Sequence, residues 1–440
     1  MRIQGKALAL ASAWTLAACS RSQASHIDPA AVAPSVSPAP VASAPAPIPA
    51  APAPPFNVLL LTIDSLRADM PWAGYARPIA PRLEALHRRA VAYPRAYSVS
   101  SFTSKSLGAL VSGRYPSELA RTGVFFTQYL KSNAMVCESL AEAGVPCVAG
   151  MAHGYLAKGY AGFDQGFRDW RLVPGITFDF NTDPYVTSDK LTPLAISMLS
   201  DESLTHAPFF AWFHFMDPHD KYQSHAGPHW GAHPRDLYDE EVLYTDHWVG
   251  ELLDFVDAQP WAKRTVVIVS ADHGEAFGEH HEFRHGHEVY EELVHVPLFF
   301  LMPGRPARTI DATRSQIDLV PTIVELLGQT PGPTLRGTSF AAELLGGEAA
   351  PSRDIICDLP RDDWNERRRS ILHDGWKLIA FGDDVRFELY DLGADPGEQT
   401  DLFWKRRDIA VEMQRRYREV SRGIEDVAPA GGIPTHDAGP

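Results

Sequence analysis

Short apolar runs recur through the middle of this chain, and each is separated from the next by a longer amphipathic stretch. Residues 57–63, 145–151, 209–215, 265–270 and 296–301 are almost wholly apolar, the pattern of strands covered on both faces. Between them, 80–92, 106–110, 133–143, 191–200 and 238–258 carry helical patterning. Alternation of this kind predicts an α/β fold, a three-layer sandwich with a mostly parallel central sheet and helices on both sides.

The residues that follow these runs carry the functional signal. Asp64 ends the first, His153 trails the second, Asp217 and His219 follow the third, and Asp272 and His273 follow the fourth. In an open parallel sheet the carboxyl ends of the strands form the ligand-binding edge, so these carboxylates and imidazoles should converge there. Any one of them could be a loop residue contacting solvent; four runs in succession point to a site. Carboxylates with an adjacent imidazole suit a borderline divalent ion, zinc or manganese first and calcium or magnesium next.

The flanks carry other information. Arg2 and Lys6 precede an apolar run over 7–18 that is too short for a membrane span and reads as an export signal. It closes as Leu16-Ala17-Ala18-Cys19, which resembles the bacterial lipobox. That resemblance implies a lipid on Cys19 and a place at the cell envelope, anchored to a membrane. Residues 28–55 are nearly all Ala, Pro, Val and Ser, a composition that buries no core and acts as a spacer. Residues 428–440, rich in Pro and Gly, read as a disordered tail. The formal net charge of -15 supplies no field that would gather nucleic acid. Cys137, Cys147 and Cys357 remain within the domain, an odd number, so at most one intramolecular pair forms.

Longer motifs surround the candidate ligands. They are Asn57-Val58-Leu59-Leu60-Leu61-Thr62-Ile63-Asp64, Ser270-Ala271-Asp272-His273-Gly274-Glu275 continued by His285-Gly286-His287, Met216-Asp217-Pro218-His219, and Ser112-Gly113-Arg114-Tyr115-Pro116. Toward the C-terminus come Trp376-Lys377-Leu378-Ile379 and Glu388-Leu389-Tyr390-Asp391-Leu392. Together these resemble the sulfatase branch of the alkaline phosphatase superfamily. The resemblance implies an alkaline-phosphatase-like fold with a catalytic domain over 56–345 and a small α+β subdomain over 346–427. It also implies a metal-dependent hydrolase of small-molecule, glycan or lipid esters.

Counting ten residues back from Gly113 lands on Thr103, the family's nucleophile position. Sulfatases carry Cys or Ser there, within Cys-x-Pro-x-Arg, and oxidise it to formylglycine; this chain reads Thr103-Ser104-Lys105-Ser106-Leu107. Gly150-Met151-Ala152-His153 keeps the histidine of a family element and lacks its lysine, and Ser65 stands where a second metal-binding Asp is frequent. Phosphotransferases and phosphodiesterases of the superfamily use an unmodified threonine. By that resemblance Asp64, Thr103, Asp272 and His273 would hold the ion, and Thr103 would attack. His219 and His285 would serve the transferred group or leaving oxygen, and His153 and Lys105 would contact substrate. His214 reads as a satisfied core residue within its strand. The expected activity is phosphoryl hydrolysis or transfer, with sulfate ester hydrolysis and a non-catalytic surface binding module as the alternatives.

Overall fold

The computed structural model describes residues 53–177 and 185–435. Cys19, the export signal and all but the last three residues of the spacer lie outside the described residues. The main sheet contains β1 (Asn57–Ile63), β2 (Val91–Ala92), β3 (Cys147–Met151), β4 (Asp169–Leu172), β5 (Phe210–Phe215), β6 (Thr265–Ala271), β7 (Leu298–Leu301) and β8 (Arg308–Thr309), in the spatial order β8-β2-β7-β6-β1-β5-β3-β4. Strands β4, β3, β5, β1 and β6 run parallel, and β7 runs against its neighbours β6 and β2. The mostly parallel sandwich expected from the alternation is therefore the fold.

Period-two alternation sorts each strand between two cores. Val58 and Leu60 of β1 join Trp212, Ile268 and Phe300 on one face, while Leu59, Leu61 and Ile63 join Phe213, Val267 and Val269 on the other. All seven residues of β1 are buried, and each large aliphatic side chain so placed contributes roughly 1.5–3 kcal/mol. Helices α1 (Pro81–His87), α2 (Thr103–Ser112), α3 (Val136–Glu142), α4 (Ser188–Leu199), α5 (Pro234–Asp257) and α6 (Leu319–Leu326) cover the two faces. Leu83, Leu191 and Val242 mark α1, α4 and α5 on the second face; Leu107, Leu140 and Ile323 mark α2, α3 and α6 on the first.

Several boundaries depart from the sequence expectation for physical reasons. The run over 296–301 is broken at Pro297, which has no N–H to give a ladder; His295–Val296 pairs with Ala96–Tyr97 in a separate sheet. The helix expected over 80–92 stops at His87, and Val91–Ala92 forms the short strand beside β7. Helix α2 begins at Thr103, one turn earlier than the periodic residues suggested. Of the tail expected to be disordered over 428–440, residues 436–440 lie outside the described residues; within the described part Ala430 N–H donates to the Arg121 carbonyl, just after Val427 N–H donates to that of Ser117.

The C-terminal region forms an antiparallel sheet of β9 (Ile355–Leu359), β10 (Arg368–His373), β11 (Trp376–Phe381) and β12 (Arg386–Asp391), with α7 (Arg407–Ser421) on one face. Ala410, Met413 and Tyr417 of α7 pack on Ile371, Leu378 and Leu389. The opposite face packs Ile355, Cys357 and Ile379 against Tyr97, Phe102, Val289 and Leu293. Polar links cross the same seam. Lys377 Nζ lies 2.9 Å from Glu291 Oε1, and His280 bridges Glu292 (2.8 Å) and the Glu398 carbonyl (3.0 Å).

Burial alone would lower the pKa of His280, but its bond to Glu292, the Glu292 charge and the Glu398 carbonyl raise it to about 9. A raised imidazole pKa contributes stability in full below the unfolded value and loses it as pH rises through the folded value. His280→Gln is therefore expected to lower the thermal midpoint near pH 6, with the deficit closing as pH passes about 9. Thermal melts of both proteins across that range provide the check, and a pH-independent difference would remove the ion pair from the explanation.

Candidate functional site

Every element of the site reaches one edge of the main sheet. Asp64 follows β1, His153 lies just beyond β3, His219 follows β5, and Asp272 and His273 follow β6. Thr103 opens α2 beside them. Asp217 does not join. Its carboxylate accepts from Thr187 N (2.6 Å), Thr187 Oγ1 (2.8 Å) and Ser188 N (2.7 Å), and so caps α4.

At the centre, Thr103 Oγ1 donates to Asp64 Oδ2 over 3.1 Å and lies 3.0 Å from His273 Nε2. His273 Nδ1 is 2.9 Å from the Gly274 carbonyl. A carbonyl can only accept, so the proton sits on Nδ1 and the Nε2 lone pair faces Thr103. Gly274 is required there, because a Cβ would stand 2.0 Å from the Glu292 carbonyl oxygen. Ser65, at φ 57°, donates its hydroxyl to Asp64 Oδ1 (2.8 Å), occupying the ground where a second acid was expected.

This donor set fits a divalent cation. Oxygens of Asp64 and Asp272 and a ring nitrogen of His214 lie within 4.8 Å of one another, all fully buried. His273 Nε2 faces Asp272 Oδ2 at 3.4 Å and Asp64 Oδ1 at 3.7 Å, three acceptor atoms turned toward a common point. Asp272 Oδ2 and His214 Nε2 are buried without a well-directed hydrogen-bond partner, although His214 Nε2 is 3.3 Å from Asp64 Oδ2. Burial and the neighbouring Asp64 charge push the Asp272 carboxyl well above the usual range. For Asp64, burial acts upward but is outweighed by His219, His214 and His273, which hold it well below that range. A cation at this point relieves the carboxylate repulsion and satisfies the orphaned atoms.

Around this core lies a pocket of about 380 Å³ that Thr103, His153, His219 and His285 all line. His285 Nδ1 is 3.0 Å from Glu275 Oε1, and its ring centroid lies 4.2 Å from that of His273 and 4.9 Å from that of His219. Burial, then the neighbouring His219 charge, depresses both His285 and His153 to about 3, so both are neutral near pH 7. Burial raises Glu275 to about 7.

Lys105 departs from the role expected of it. It is fully buried behind the pocket wall, where Nζ donates to Asp362 Oδ2 (2.8 Å) and to the Phe125 carbonyl (2.6 Å). Its place two residues after Thr103 on a helix turns it away from the side Thr103 faces. Conversely, His214, expected to be a satisfied core residue, is buried with Nδ1 2.8 Å from Thr62 Oγ1, but its Nε2 turns to Asp64, and Glu275 went unassigned. An imidazole within the otherwise apolar Phe210–Phe215, in register with Thr62 two residues before Asp64, was the available signal for the first. For Glu275 it was its place two residues after His273.

An α/β sandwich with buried carboxylates and an imidazole converging on a helix-opening hydroxyl defines a metal-site protein of the alkaline-phosphatase type. The chain belongs to the Sulfatase family, whose model matches residues 56–329; a second model, N-sulphoglucosamine sulphohydrolase, C-terminal, matches 278–422. It is 28% identical over 196 residues to arylsulfatase K of Mus musculus, covering 42% of this chain and 35% of that protein. It thus spans about a third of that relative's length. It is 26% identical over 316 residues to an ulvan-active sulfatase of Formosa agariphila, covering 61% of each. Among solved structures, the phosphonate monoester hydrolase of Agrobacterium radiobacter shares the fold with a TM-score of 0.68 at 18% identity, over 84% of this chain and 96% of that one.

If a cation relieves the Asp64–Asp272 repulsion, Asp272→Asn should raise the denaturation midpoint of chelator-treated protein and abolish the rise that divalent metal produces. At metal concentrations about 100 times Kd the wild-type rise corresponds to about 2.7 kcal/mol. Denaturation series with and without zinc or manganese read both effects; an undiminished metal response in Asp272→Asn would remove this residue from the ligand set.

Proposed function

We propose that the chain is a metal-dependent ester hydrolase in which the unmodified hydroxyl of Thr103 attacks a phosphate or phosphonate ester. The observation that supports this most is the placement of Thr103 Oγ1, at the pocket floor and within 3.1 Å of both Asp64 and His273. Asp64, Asp272, His273 and Thr103 would hold the ion, with His214 beside Asp64. When bound, a divalent ion supplies Lewis-acid polarisation and lowers the pKa of a coordinated hydroxyl.

The chain's own groups account for the remaining requirements. Asp64 orients Thr103 Oγ1 by accepting its hydrogen bond. The first N–H groups of α2 have no intrahelical acceptor and favour an anionic group at that end. Neutral His153 lines the wall where non-bridging oxygens would lie, able to donate N–H without a fixed charge, and His219 lines it too, its Nδ1 2.6 Å from the Asp220 carbonyl. Glu275 engages His285 Nδ1, which leaves Nε2 to exchange a proton with the reacting oxygens. Attack by Oγ1 forms a threonyl ester and releases the alcohol, and water then cleaves that ester to regenerate Thr103.

Sulfate monoesters are the second reading, favoured by the two family matches over 56–329 and 278–422. Thr103→Ala is expected to lower kcat by about 10³-fold or more on whichever ester is turned over. Rates on a bis-aryl phosphate, a phosphonate monoester and an aryl sulfate decide between the readings; sulfate turnover surviving in Thr103→Ala, with phosphorus esters untouched, would sink the nucleophile assignment. We further propose attachment to the envelope membrane through lipid on Cys19, supported by Leu16-Ala17-Ala18-Cys19. Cys19→Ala should move the protein from the membrane fraction to the soluble fraction; an unchanged distribution would count against the anchor.

A further inference from the structure

Among the described lining residues, aromatic side chains make up much of the pocket wall, with Asp220, Arg284 and His287 the polar ones away from the floor. Above Thr103 its walls are Phe102, Phe125, Phe126, Tyr155, Phe283 and Trp364. Rings continue outward in contact. Phe102 lies 3.9 Å from Phe125 between centroids, Phe125 stacks on His287 at 5.6 Å and 13°, and Trp364 is 6.3 Å from Phe125. Phe283 and Trp364 stand 63% and 68% exposed, large apolar surfaces left in water at a pocket mouth.

This wall is held in place from behind. Trp364 comes from the loop between β9 and β10 of the small sheet, and that loop is pinned at three points. Asp362 pairs with buried Lys105 (2.8 Å), Asp363 Oδ1 accepts from Phe125 N (2.7 Å), and Asn365 engages His287 Nδ1 (2.7 Å) and the Gly286 carbonyl (2.9 Å). Lys105 Nζ also lies 4.8 Å and 5.2 Å from the centres of Phe102 and Phe125. Gly286, at φ 95°, leaves room for these rings, since a Cβ there would lie 2.9 Å from Phe102.

Fixed positive charge is scarce in the same walls. Among the described lining residues Arg284 alone carries one, and it is paired with Asp220 (3.2 Å), which lines the pocket too. A substrate bearing several anionic groups would find one partner set, at the floor, and none along the walls. A flat apolar body would find rings to stack on.

We infer that this pocket takes the ester of a flat, uncharged, multi-ring alcohol carrying a single anionic group, and rejects polyanionic saccharide esters. The inference rests on Thr103 marking the ester end, as proposed above. The body of the alcohol lies against Phe125 and Trp364, with Phe283 also lining the mouth.

The probe is 2-naphthol, the free alcohol, binding to the full chain with chelator present, followed by saturation-transfer NMR; hydrolysis of 2-naphthyl phosphate and sulfate is measured in parallel on metal-loaded protein. Naphthol should bind the wild type, bind about 10-fold more weakly to Trp364→Ala, and regain affinity in Trp364→Phe. With the naphthyl ester that is hydrolysed, Trp364→Ala should raise KM by a similar factor while kcat holds within about 2-fold. A disulfated disaccharide should not displace naphthol. Failure of naphthol to bind, equal binding by a natively folded Trp364→Ala, or displacement by the disaccharide would each overturn the inference. Naphthol binding with no ester turned over would uphold it and count instead against Thr103 as nucleophile.

Discussion

Two buried carboxylates that face one another are the constraint on which the rest of this molecule depends. Asp64 and Asp272 close the two adjacent central strands β1 and β6, and neither reaches solvent. Like charges in that setting are unfavourable on their own. The histidines ranged about them, the hydroxyl of Ser65 on Asp64 and the tautomer imposed on His273 by Gly274 all soften or exploit that repulsion. A protein selected for stability alone would place aliphatic side chains there, as it does along Val58–Leu61 and Val266–Val269. The site is therefore a local departure from an otherwise consistent core, which is where chemistry is found.

Much of this was legible from residue pattern. Buried strands announce themselves as unbroken apolar runs, and all five expected lie within two residues of their observed bounds, the last shortened at Pro297. Asp64, Asp272 and His273 were legible because each ends such a run, where direction of travel fixes the edge reached. Thr103 needed the spacing to Gly113, since a threonine in a serine-rich run is otherwise a plain helix cap. What escaped depended on side-chain direction. Two residues along a helix separate Thr103 from Lys105, enough to send one into the pocket and the other behind its wall. His214 alternates with apolar neighbours in β5, and only the lateral register with β1 reveals that it abuts Asp64.

The aromatic wall was harder still to foresee, because its members come from five segments that pack together only in three dimensions. Phe125, Phe283 and Trp364 have no common motif, and each in isolation resembles an ordinary loop aromatic. Their alignment follows from the polar pins that hold the 360–366 loop, none of which leaves a periodic trace in sequence. The chain shares its fold with proteins whose names refer to a 2-O GAG sulfatase and to a phosphonate monoester hydrolase. Such breadth on one scaffold is expected when a constant floor is paired with walls built from loops.

The pin between Lys105 and Asp362 joins positions 257 residues apart. The floor is complete once β6 and the residues just after it are in place, but one wall waits for a loop encoded near the end of the chain. During synthesis from the N-terminus, the metal ligands would thus assemble first, beside an open cleft. A chain interrupted before the 360–366 loop would keep the reactive end and lack part of the surface that selects what reaches it. Order of synthesis and order of assembly together make discrimination the last property this protein acquires.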